Sequence, residues 1–197
     1  MKKLNRKGFT LIELLAVITI MGILMLVAIP AVSRTIENTR RDTFSSTAKS
    51  YIKAVRDEIA ADNLYVGDGA NQIPISAAPA GDYYYGFDSA ANSGTDLMEQ
   101  GGKSSWGNAN VQGYVAVRKT VDERNNTKYE YAIFMVDAGK RGIGALTYEQ
   151  SIKRSTVATK DAPDGKTAPS AIEAQDKFGE VVLSSGTEGN CKALSLG

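Results

Sequence analysis

Glu13 is the residue whose chemistry is most out of place. From Leu14 to Ser33 no side chain carries a charge, and this carboxylate stands at the head of that run with no basic residue nearer than Lys7. A charged side chain at the centre of a membrane helix costs about 2.5–3.5 kcal/mol on insertion scales, so an acid inside such a segment points to a function that needs it. Lys2, Lys3, Arg6 and Lys7 precede it. A basic stretch followed by an apolar one suggests a secretory signal. The run is nevertheless longer than the usual ~7–15-residue apolar core of such signals, and no Ala-x-Ala site ends it.

Other constellations with chemical potential fail on spacing or composition. The chain has no histidine, which excludes Ser-His-Asp and Cys-His machinery and ordinary zinc coordination. Gly102-Lys103-Ser104 is similar to the end of a phosphate-binding loop, but the upstream glycine that loop requires is replaced by Leu97. Gly142-x-Gly144 lacks the third glycine of a dinucleotide site, where Thr147 stands. Ser50-x-x-Lys53 matches a nucleophile motif by letter but falls on an exposed helical stretch. Asp161, Asp164 and Gly165 do not have calcium-loop spacing and read as a turn. Asn125-Asn126-Thr127 is a formal glycosylation sequon. Cys191 is the only cysteine, so no intrachain disulfide is possible. No enzyme, cofactor or metal site is expected.

The element that must position Glu13 is a helix. Twenty helical residues reach ~30 Å, the thickness of a bilayer's hydrocarbon core. After Pro30 the spacing continues through Val32, Ile36, Phe44, Ala48, Tyr51, Ile52, Val55 and Ile59, a single apolar stripe on an otherwise polar helix. One helix of roughly 50 residues, on the order of 80 Å long, is therefore expected, apolar all round in its first half and amphipathic in its second. It should end around Ala60–Asn63. Pro30 removes a donor and crowds the preceding turn, so a bend is expected near Val27–Ile29, with Gly22 as a second soft point.

The string from Lys7 to Pro30, KGFTLIELLAVITIMGILMLVAIP, resembles the class III signal of type IV pilins and the pseudopilins of type II secretion. The resemblance covers residues 1 to about 60. It implies that a prepilin peptidase cuts after Gly8 and that Phe9 becomes the N-methylated first residue. Glu13 then takes the family's fifth position, and Pro30 its helix-bending proline, near which the helix of an assembled filament can melt. In such a stack the new amine at Phe9 of one subunit would neutralise Glu13 of its neighbour, where the low dielectric strengthens the attraction. The implied partners are identical subunits in a helical homopolymer, the peptidase, the membrane, and an inner-membrane assembly platform driven by an ATPase. No nucleic acid is expected. The implied location is a single-pass precursor with its N-terminus in the cytoplasm, then an extracellular pilus. Charge counting does not orient the segment, because Arg34, Arg40 and Arg41 also flank it on the far side. Many Gram-negative members close a C-terminal loop with a disulfide that a lone Cys191 cannot form, which hints at a Gram-positive or pseudopilin-like chain.

The expected fold is α+β, a long N-terminal helix packed on an antiparallel sheet. The expected divisions are a leader (1–8), a membrane and polymerisation half-helix (9–33), an amphipathic half-helix (34–61) and a globular head (62–197). Residues 66–110 read as an irregular loop anchored by Tyr83-Tyr84-Tyr85, Phe87 and Trp106. Val111–Val121 and Lys128–Asp137, joined by a polar turn, read as a hairpin. Gly139–Gly144 reads as a turn, Tyr148–Ser155 as a short helix capped by Thr147 and Gln150, and residues 156–170 as a loop. Glu180–Ser184 reads as the last strand, and the tail from Ser185 as loosely held.

Overall fold

The computed structural model describes residues 9–67, 71–89, 97, 103–107, 110–161 and 192–196. Helix α1 (Leu11–Ala60) is followed by β1 (Leu64–Val66), β2 (Ile73–Pro74), β3 (Gly81–Asp88), β4 (Val111–Val121), β5 (Thr127–Asp137), β6 (Gly142–Tyr148) and β7 (Lys192–Leu196). The strands form one sheet in the order β2-β1-β7-β3-β4-β5-β6, antiparallel throughout except where β7 runs parallel to β3. The fold is α+β, a long N-terminal helix with an antiparallel sheet. The chain divides into two compact units, 1–39 and 40–197.

In the first unit α1 continues through Pro30, and every residue from Leu11 to Ile36 is exposed. In the second, α1 buries Phe44, Ala48, Tyr51, Ile52, Val55 and Ile59. Their spacing of three and four puts them on one face. That face meets the sheet through aromatic edges, with Tyr51 4.3 Å from Phe87 and 6.4 Å from Tyr85, and meets the β3–β4 connection where Phe44 lies 5.5 Å from Trp106, between ring centroids. Gly142 makes room for this docking. A β-carbon there would fall 2.8 Å from the Phe44 ring, and φ is +135°.

α1 ends where Asp62 turns into the left-handed region (φ 57°) and the Asn63 amide donates back to the Glu58 carbonyl at 3.0 Å. Those are the reversed chain path and six-to-one bond of a helix C-cap, with Asp in the usual glycine position. The hairpin β4–β5 forms as its alternation predicts. Its turn is fixed by Asp122, whose carboxylate accepts from the Arg124 and Asn126 amides and from Asn126 Nδ2. These bonds, those of Asn126 first, hold the Asp122 carboxyl below the ordinary carboxylate range.

Several expectations are overturned. Residues 66–110 are not one irregular loop, because β3 runs through the aromatic stretch and pairs with β4 from Gly81↔Lys119 to Asp88↔Gln112. Tyr83, Tyr85 and Phe87 face the α1 side, so the aromatics do anchor the packing, but from a strand. The turn at Gly139–Gly144 is shorter than expected, and β6 begins at Gly142. The helix over Tyr148–Ser155 is absent. Two 3-10 turns, Glu149–Ser151 and Arg154–Thr156, stand there, and the Thr147 hydroxyl donates to the Ala145 carbonyl instead of capping. The tail is not loose throughout, since Lys192–Leu196 is inserted between β1 and β3. The strand expected at Glu180–Ser184 and most of the loop at 156–170 lie outside the described residues.

Candidate assembly site and the neck of the head

The N-terminus of α1 is built as a capping box. Thr10 is the residue before the helix, and its amide and hydroxyl both donate to Glu13 Oε2, at 2.9 and 2.8 Å. The Glu13 amide in turn donates to the Thr10 hydroxyl at 3.3 Å. A Thr-x-x-Glu sequence does this because the first turn of a helix leaves its amides unpaired, and the two side chains satisfy them reciprocally. The carboxylate expected to wait for a neighbour's amine is thus already held by its own chain. Both donors land on one oxygen, and Oε1 takes neither of these bonds. Thr10 is a residue the functional reading missed. The signal is in the sequence, since Thr10 and Glu13 have the same Thr-x-x-acid or amide spacing as Thr147 and Gln150.

Of the other site residues, Gly8 and Cys191 lie outside the described residues. Phe9 is 89 % exposed next to the box. Gly22 lies mid-helix with open space around its α-carbon, and Pro30 is likewise inside the helix. Thr19 donates its hydroxyl to the Ala16 carbonyl at 2.8 Å, which lets a polar side chain sit in an apolar segment. α1 is long and apolar enough to cross a membrane by length and composition, and none of its apolar window is buried. It fits a membrane-anchored precursor.

The rejected motifs are absorbed by structure. Ser50 and Lys53 are exposed on α1. Lys103 Nζ donates to Asn110 Oδ1 at 3.1 Å, and Ser104 donates to buried Asp137 at 2.8 Å, whose carboxylate also accepts from Arg141 Nε at 2.9 Å and from the Gly139 and Arg141 amides. Asn125 and Asn126 form the hairpin turn, Gly142 and Gly144 belong to β6, and Asp161 has φ 59°. Among the described residues no group of three or more His, Cys, Asp or Glu side chains is arranged to hold a metal.

A second cluster forms where α1 enters the head. The Ser105 hydroxyl donates to the Arg40 carbonyl at 2.7 Å, and Arg41 Nε donates to the Val157 carbonyl at 3.0 Å. Asp42 makes a two-pronged ion pair with Arg154, whose hydrogen bond lowers the Asp42 pKa. The Arg141 guanidinium lies 5.3 Å over Trp106, which packs on Phe44. Three loops therefore converge on residues 40–44. The Arg40 backbone and the Arg41 side chain are thus fixtures of this neck.

A long apolar N-terminal helix followed by an antiparallel sheet is an α+β, pilin-like architecture. A family model for the prokaryotic N-terminal methylation motif matches residues 3–29. The chain carries that motif, as type IV pilins and pseudopilins do, and the motif marks a structural class of protein and not a class of enzyme. No curated protein and no solved structure matches the chain.

Proposed function

We propose that this chain is the precursor of a type IV pilus subunit, cut after Gly8, methylated at Phe9 and polymerised through α1. The observation that carries this reading is Glu13, an acid at the start of an exposed apolar helix inside a matched methylation motif. Thr10 holds Glu13 Oε2 and leaves Oε1 to the amine of a neighbouring subunit. The carboxylate so held is pre-oriented, and burial between subunits makes its pairing strong. Peptidase, assembly platform and ATPase act on the N-terminal segment. The head, outside the membrane, coats the filament and serves adhesion, motility or aggregation.

The same N-terminal chemistry serves the pseudopilins of secretion and competence machines. Shear-released surface filaments containing this chain, with mass spectrometry of their subunits, test the proposal. The expected mass is that of a chain beginning at N-methylated Phe9. Export without filaments would favour the pseudopilin reading, and a subunit still carrying residues 1–8 would overturn both.

A further inference from the structure

The end of the head that α1 enters is ringed with cations. Arg40 is exposed at the start of the unit, and the three loops that close on residues 40–44 bring Lys103, Lys140, Lys153, Arg154 and Lys160 to the same end. All are exposed, Lys160 by 84 % and Arg154 by 50 % of its side chain. The acids at this end are fewer: Asp137 is buried against Arg141, Asp42 and Arg154 offset each other, Asp161 stands 4.0 Å from Lys160, and Asp88 is half-buried at the end of β3. The opposite end, at the β4–β5 turn and the end of α1, exposes Asp57, Asp62, Asp122 and Glu123 against Arg124 and Lys128. Among the described residues, cations outnumber acids at one end and acids outnumber cations at the other.

The chain itself ties the basic end to the membrane. Arg40 follows Ser33, the last residue of the uncharged run, by seven positions. Seven residues span ~10 Å as helix and cannot exceed ~25 Å in any conformation. Where α1 spans a bilayer, the ring lies within reach of the headgroups.

We propose that this ring is a docking surface for the anionic headgroups of the membrane leaflet from which α1 emerges, and that it seats the head of the unassembled subunit on that leaflet. Lysine ammonium groups on separate loops suit a fluid array of phosphates, which presents point charges in no fixed geometry. The acidic far end is repelled by the same surface, so attraction and repulsion orient the head in one sense. Basic residues beyond the apolar run, which defeat the usual charge rule for orientation, have a use on this account.

This inference rests on the membrane-anchored reading of α1, and the experiment separates the two. The full chain is reconstituted into nanodiscs of phosphatidylcholine alone or with about a third phosphatidylglycerol, and lysines are acylated with a membrane-impermeant reagent. Labelling of Lys103, Lys140, Lys153 and Lys160 is expected to slow by about fivefold in the anionic discs and to recover in high salt. Lys128, 72 % exposed at the other end of the sheet, serves as the control whose labelling stays constant. The triple variant Lys140→Glu, Lys153→Glu, Lys160→Glu should melt at the same temperature and lose the protection at Lys103. Equal labelling in both discs would overturn the proposal while leaving the anchor intact. A chain that enters neither disc would overturn the anchored reading and the proposal together. Protection that grows with the number of copies per disc in phosphatidylcholine would assign the ring to a second copy of this chain and not to lipid.

Discussion

One helix in this molecule obeys two different rules. From Leu14 to Val32 its side chains are apolar on every face, Thr19 apart, and exposed, Leu26 by 77 %, whereas from Phe44 to Ile59 apolar residues occupy one face and are buried, Val55 completely. The second part is stabilised by the sheet of its own chain. The first lacks such support in the single chain and needs lipid or other copies to cover it. A helix that is hydrophobic all round is a buried or membrane element, and one with a single stripe is a surface element of a globular core. On the proposed function, assembly falls to one part and folding to the other. Substitutions in the two parts should therefore have separable consequences.

The largest effect is expected from Glu13→Val. Losing one partner of a buried charge pair costs about 3–5 kcal/mol per contact, enough to reduce filament yield to background. The head should melt at an unchanged temperature, because Glu13 belongs to the other unit. Normal filament yield, measured by shear and immunoblot, would break the division of labour. The mirror image is Tyr51→Ala, which empties a fully buried site between Phe87 and Tyr85. A loss of about 3–5 kcal/mol is expected, seen as a fall in melting temperature on the order of 10 °C, with membrane insertion intact.

The helix and its two rules could be read directly from residue spacing, because periodicity over fifty residues is a strong signal. The β4–β5 hairpin was legible for the same reason, with a polar turn between two β-rich runs. β3 was not. The sheet is buried on both faces, with Tyr114 stacked on Phe134 at 5.4 Å on one side and Tyr83, Tyr85 and Phe87 on the other. β3 does alternate, burying Tyr83, Tyr85 and Phe87, but an aromatic on its other face, Tyr84, masks that alternation in the sequence, so Tyr83-Tyr84-Tyr85 read as a knot in a loop. β7 was hidden because its place in the sheet depends on pairing with β1 and β3, remote in sequence. At the assembly site, Glu13 announced itself by charge. Thr10 did not, since a threonine in an apolar stretch draws notice only through its spacing to the acid.

Thr10 offers a sharper version of the comparison. Thr10→Val removes the hydroxyl that donates to Glu13 Oε2 and accepts from the Glu13 amide, while leaving the charge in place. Loss of such a cap costs about 0.5–2 kcal/mol, so filament yield should fall by a few-fold and not to background. Glu13→Gln does the converse, keeping an oxygen for the Thr10 donors while deleting the charge. If charge is what assembly reads, Gln should behave like Val in the filament assay. If Gln instead matches Thr10→Val, the cap is the greater part of what Glu13 does.

The smallest effect lies at the neck and is read in acid. The hydrogen bond from Arg154 holds the Asp42 carboxyl below its ordinary value; desolvation opposes it, and the charges of Arg154 and Arg41 add smaller contributions in the lowering direction. A carboxyl depressed in the folded state contributes stability above the unfolded value of about 4, and that contribution is lost as pH falls through the lower folded value. Asp42 and Arg154 are each about half exposed, so water and salt screen the pair. The test compares thermal melts of the chain and of Asp42→Asn between neutral pH and pH 3. The native chain should be slightly more stable at neutral pH, and the gap should close below about pH 4. A gap that persists at pH 3 would show that Asp42 acts through packing and not through its charge. The neck would then be held by Phe44, Trp106 and the carbonyl contacts of Arg40 and Arg41, leaving the ion pair as an ornament of the surface.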